Sequence, residues 1–130
     1  MTVIPRSPQG QAQAPRTQPF GAEAFAPQQG TTIRWLGGAG ALINSRGTTL
    51  MIDPVLEGFD MPLLADAPIR AGEVPRLDAV LLTHCDNDHF SRDTCRRLGP
   101  VCGGFHAPHY VAGLAAELGL PATGHDIGGG

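Results

Sequence analysis

The segment Thr83-His84-Cys85-Asp86-Asn87-Asp88-His89 places two histidines and two aspartates within the six positions 84–89, directly after the apolar run Leu77-Asp78-Ala79-Val80-Leu81-Leu82. A strand that ends in a loop can turn side chains from adjacent and alternating positions toward one point. Neutral imidazole and carboxylate oxygen are the donor set of divalent zinc, manganese or iron. Any one of these residues alone reads as a solvated turn residue. Four donors interleaved as HxDxDH read instead as a metal loop formed by His84, Asp86, Asp88 and His89. Cys85 lies one position out of phase and reads as a neighbour of the ligands, not as a ligand or nucleophile.

The elements that must position this loop follow from the flanking pattern. Thr31–Leu36, Ala41–Ile43 and Thr48–Ile52 are short β-rich runs, and Asn44-Ser45-Arg46-Gly47 suits a hairpin turn between the last two. This predicts an antiparallel meander that ends at Asp53-Pro54. Residues 54–76 carry four prolines and no sustained period, which predicts a long irregular excursion. Residues 77–83 then read as a strand covered on both faces. Ser91 is an N-cap candidate for a helix over 92–98, Pro100-Val101-Cys102 a short strand, and Pro108–Leu118 a second helix closed by Gly119. The succession predicts an α/β (α+β) domain in which a meander joins a covered sheet.

Composition narrows the classes of function. The 130 residues include 9 basic residues, all arginine, against 12 acidic ones, for a net charge of -3. Nucleic-acid binding and polybasic membrane attachment are therefore poor fits. No apolar stretch reaches the ~20 residues of a spanning helix, and the opening lacks a secretory h-region, which points by default to a cytoplasmic protein. Residues 1–30 hold five prolines and six glutamines and predict a flexible Pro/Gln-rich arm, pinned at Phe20 and Phe25, ahead of a domain over 31–130. Cys85, Cys95 and Cys102 form no CxxC pair and fit reduced thiols. Gly37-Gly38-Ala39-Gly40 does not spell a dinucleotide loop.

Over about residues 31–130 the chain resembles the metallo-β-lactamase-fold hydrolases, in the branch similar to ascorbate-6-phosphate lactonase and phospholipase D-like enzymes. The resemblance rests on Ile33-Arg34-Trp35-Leu36-Gly37-Gly38-Ala39-Gly40, on Met51-Ile52-Asp53-Pro54, and on the strand Ala79–Thr83 running into the histidine motif. It implies an αββα sandwich of which this chain carries only the N-terminal half. It also implies two divalent metal ions, with His84 and Asp86 serving one and Asp88 and His89 the other, and Asp53 supporting the loop behind them. The family motif reads HxHxDH; Asp86 stands where a histidine is usual, which shifts preference toward manganese, magnesium or iron and away from zinc. The reaction implied is cleavage of a lactone, ester, amide or phosphodiester of a small-molecule substrate through a metal-activated hydroxide, with Asp88 orienting or deprotonating the attacking water.

A catalytic site of this kind takes about three protein ligands plus water, and the motif offers fewer to each ion. His106 and His109 are candidates to line the same pocket. His125 and Asp126 are either a ligand pair or, as the glycine-rich end favours, a frayed tail. A half-sandwich would leave an apolar sheet face bare, which predicts association with a second copy or a complementary C-terminal half, or poor solubility. The competing reading is a truncated, non-catalytic metal-binding or interaction module that carries the loop without the rest of the site.

Overall fold

The structure is a computed structural model, and it describes residues 13–59 and 65–130. Strands β1 (Thr31–Gly37), β2 (Gly40–Ser45) and β3 (Thr48–Ile52) form the antiparallel meander expected from their alternating patterns. The β2–β3 turn takes its positive φ at Arg46 (55°) and Gly47 (96°), so the glycine serves as expected while Arg46, not Asn44, is the second left-handed residue. Asn44 is released to a different task. It is buried in β2, donates to Ala24 O (2.9 Å) and Ala26 O (2.8 Å), and accepts from Gly47 N (2.9 Å). One side chain thereby closes the hairpin and ties down the 3-10 turn Ala22–Phe25, whose Phe25 enters the core beside Phe20. Residues 1–12 of the predicted arm lie outside the described residues.

Three parallel strands extend the sheet: β4 (Ala79–Leu81), β5 (Phe105–Pro108) and β6 (Ala122–His125), in the order β1-β2-β3-β4-β5-β6. Helix α1 (Arg92–Leu98) follows β4, with the Ser91 hydroxyl accepting from Thr94 N, and α2 (His109–Glu117) links β5 to β6. Two expectations fail here. Pro100-Val101-Cys102 is not a strand: Gly99–Val101 coils as a 3-10 turn because proline cannot donate to a ladder, and Cys102 makes a single bridge to Leu77. The strand lies instead at Phe105–Pro108, which puts His106 on the sheet. The C-terminal stretch is also no frayed tail up to His125, since Ala122–His125 pairs with β5 along its whole length.

The core lies on one face only. Leu42, Met51, Val80 and Phe105 pack with Cys95 and Leu98 of α1 and Val111 and Ala112 of α2. The opposite face carries Ile33, Ile43, Leu50 and Ala79 in one cross-strand row and Trp35, Ala41, Ile52, Leu81 and His106 in the next. Ile33 is 71% and Trp35 60% exposed. The expectation that β4 is covered on both faces is therefore corrected: Val80 is fully buried, while Ala79 and Leu81 on the other side are only half-buried. Asn44→Ala removes three hydrogen bonds around a buried amide and should cost ~2 kcal/mol. A urea midpoint that drops at unchanged slope would show it; an unchanged midpoint would contradict this account.

Candidate metal centre

Asp53 is the pivot of the loop. It follows β3 with φ 45°, a left-handed conformation that aspartate tolerates, and its carboxylate is buried. Its backbone N–H donates to Leu81 O (2.9 Å), so it continues the β3–β4 pairing while its side chain reaches past the end of β4. There the carboxylate accepts from Thr83 N (2.7 Å), from the Thr83 hydroxyl, and from His89 Nδ1 (2.9 Å). With a carboxylate on Nδ1, the ring carries its proton on that nitrogen, and Nε2 is left as the donor atom.

The rest of the loop turns back on itself. His89 N and Phe90 N both donate to Asp86 O (2.9 and 2.8 Å), and Phe90 is sunk into the core, which fixes where the loop rejoins α1. The His84 and His89 rings stand 5.2 Å apart, His84 Nδ1 lies 3.2 Å from Asp86 Oδ2, and His89 Nε2 lies 3.5 Å from Asp88 Oδ2. The structure thus brings His84, Asp86, Asp88, His89 and Asp53 into one neighbourhood at the C-terminal end of β4. It also brings in Cys85, which sequence phase had set aside: His84, Cys85 and Asp86 each offer a donor atom, all within 4.8 Å of one another. A tight turn defeats the strand-like alternation on which that phase argument relied. This mixed nitrogen, oxygen and sulfur donor set fits a divalent ion, and the thiol adds a soft donor to the harder oxygens.

His106 and His109 make their contacts elsewhere. His106 Nδ1 meets His125 Nε2 at 2.9 Å, and His109 Nε2 meets Asp126 at 2.9 Å. Among the described residues no hydrogen bond or ion pair joins any of these four to the 84–89 loop. Burial holds the Cys95 thiol up at about 12 and also raises that of Cys102, so neither is a nucleophile at neutral pH.

Beside the loop opens a cavity of about 790 Å³, lined by Phe20, Ile33, Trp35, Leu36, Val55 and Asp88 among others, with Arg16 and Arg34 at its wall. The Arg34 guanidinium stacks over Phe20, 5.2 Å from the ring centroid, and its Nε is buried without a hydrogen-bond partner among the described residues. Sequence reasoning missed Arg16 and Arg34 as pocket residues. The phenylalanine at position 20, in an otherwise Pro/Gln-rich stretch, was the available signal.

Comparison with known proteins follows this geometry. The model of the β-lactamase superfamily domain matches residues 32–126. A UPF0173 metal-dependent hydrolase of Nitratidesulfovibrio vulgaris is 36% identical over 104 residues, which cover 76% of this chain and 41% of that protein. Among solved structures, the diiron β-hydroxylase CmlA of Streptomyces venezuelae superposes with a TM-score of 0.59 at 25% identity, over 76% of this chain and 21% of that one. Igni18, a metallo hydrolase of Ignicoccus hospitalis, gives 0.57 at 22% identity over 76% and 41%. The chain spans about 20–41% of the length of the curated relatives it matches.

The carboxylates around His89 favour positive charge on its ring: the hydrogen bond to Asp53 raises its pKa above 6.5 against the opposing desolvation, with smaller contributions from the charges of Asp88, Asp53 and Asp86. A raised folded-state pKa contributes stability that is fully present below 6.5 and lost as pH rises through the raised value. An NMR titration of the metal-free chain should place the His89 midpoint above the ordinary 6.5, and Asp53→Asn should bring it down. A His89 midpoint indifferent to Asp53→Asn would contradict the contact.

Proposed function

The chain belongs to the β-lactamase superfamily and carries the N-terminal part of a metallo-β-lactamase fold, and from that premise we propose that the 84–89 loop is the first half of a hydrolytic metal centre. The observation that carries this is the Asp53–His89 contact, which frees Nε2 of His89 at 3.5 Å from Asp88 Oδ2, with the His84 ring 5.2 Å away. His84, Asp86, Asp88 and His89 hold the ions and Asp53 holds His89. Bound divalent ions supply an acidified water and polarise the oxygen of the scissile group. Asp88 orients the attacking water and takes its proton, while the apolar cavity next to Asp88 receives the body of a small-molecule substrate and excludes bulk solvent from it. Manganese or iron suits the oxygen-rich members of the set, and Cys85 extends the range to zinc.

Hydrolysis by relatives named metal-dependent hydrolases supports this reading, and the ester, lactone, amide or phosphodiester identity of the bond is left to assay. No helix among the described residues is long and apolar enough to cross a membrane. The bare face of Ile33, Trp35, Ile43 and Leu50 is the surface on which a second sheet packs, supplied by further sequence of a longer protein or by another chain, and that sheet completes the coordination.

Manganese is the appropriate probe of the loop, since a carboxylate-rich set suits it. By equilibrium dialysis, His89→Ala should abolish Mn²⁺ retention and Asp53→Asn should weaken it roughly 10–100-fold, with far-UV circular dichroism showing the sheet intact. Equal retention by a folded His89→Ala chain would refute the assignment.

A further inference from the structure

We infer that the paired imidazoles of His106 and His125 form a second metal site, separate from the 84–89 loop, for a borderline divalent ion of the zinc, nickel or copper class. Strands β5 and β6 run parallel with His106 opposite Thr123 and Pro108 opposite His125. Phe105, Ala107 and Ala122 pack with the core, so the period of two places His106 and His125 together on the open face, as diagonal neighbours. Their rings stand 5.2 Å apart at 36°, both residues are half-buried, and Nδ1 of His106 lies 2.9 Å from Nε2 of His125.

Two neutral imidazoles at that distance share one proton between facing nitrogens. Two nitrogens bound to one tetrahedral ion at about 2.0–2.1 Å stand about 3.3 Å apart. Exchange of the hydrogen bond for a chelate therefore needs only a small change in the nitrogen separation, but each ring must turn by roughly 35° to aim its nitrogen at the ion, and the proton between them passes to the outer nitrogen of its own ring. The His106 ring has room for this because Gly104 lies beside it, where an added Cβ would come within 3.4 Å of Nε2. The site presents imidazole alone, which disfavours calcium and magnesium and selects ions that prefer nitrogen; its remaining positions stay open to water. The two centres differ in donor chemistry, so they differ in metal preference.

The test titrates zinc chloride into the His84→Ala/His89→Ala chain, in which the loop is disabled, and follows imidazole ¹⁵N resonances. One equivalent of zinc should shift His106 Nδ1 and His125 Nε2 together and leave His109 in place. His125→Ala and, as the milder change on the edge strand, His125→Gln should each lower zinc affinity at least tenfold. The same two resonances are followed in the unsubstituted chain, so the outcome does not depend on any variant folding. Stationary His106 and His125 nitrogens at saturating zinc, or zinc held equally well by His125→Gln, would overturn the inference and leave a plain hydrogen-bonded pair.

Discussion

One buried carboxylate organises this molecule. Asp53 follows β3, takes the backbone N–H of Thr83 two residues past β4, and holds His89 on the far side of the loop. A buried carboxylate is costly unless its oxygens are satisfied, and here three donors satisfy it. The same three contacts fix the relative position of two strand ends and a histidine ring. The left-handed backbone at Asp53 is the local strain that aims the side chain this way. The placement of the 84–89 loop therefore depends on a contact between residues 36 positions apart, and not on loop sequence alone.

The second constraint is the one-sided core. The helices and the 3-10 turns all pack against the face of Leu42, Met51, Val80 and Phe105, and the irregular excursion is stitched to α1 by Thr94, whose hydroxyl accepts from Leu56 N and Glu57 N. The other face is apolar, and no element among the described residues covers it. Loop and bare face belong together in one reading: a sandwich that closes over this sheet would bury Ile33 and Trp35 and approach the donors at the strand ends in the same movement. The neighbours CmlA and Igni18 share the fold while their names describe a diiron β-hydroxylase and a metallo hydrolase, so the fold by itself does not select the reaction.

Much of this was legible in the residues. The meander, Ser91 as N-cap of 92–98 and the second helix rest on local signals, β-branched runs and a capping hydroxyl among them, whereas the place of Asp53 behind the HxDxDH residues came from the family resemblance. What the sequence hid was set by long-range pairing. Phe105–Pro108 looks like a helix-entry loop because it is short and bounded by glycine and proline, and only its place between β4 and β6 makes it a strand. His125 looks like a tail for the same reason. Cys85 was misplaced because a tight turn does not follow the period of a strand, and Arg16 and Arg34 were missed because a cavity wall built from distant segments has no period at all.

The most direct test of the central claim is anomalous diffraction from a crystal of the chain soaked in manganese, collected to locate the ion. The account predicts a peak about 2.0–2.2 Å from Nε2 of His89, with His84, Asp86 or Asp88 in its coordination sphere and Asp53 still on Nδ1. A metal-saturated crystal with no peak at residues 84–89, and those side chains turned to solvent, would contradict it.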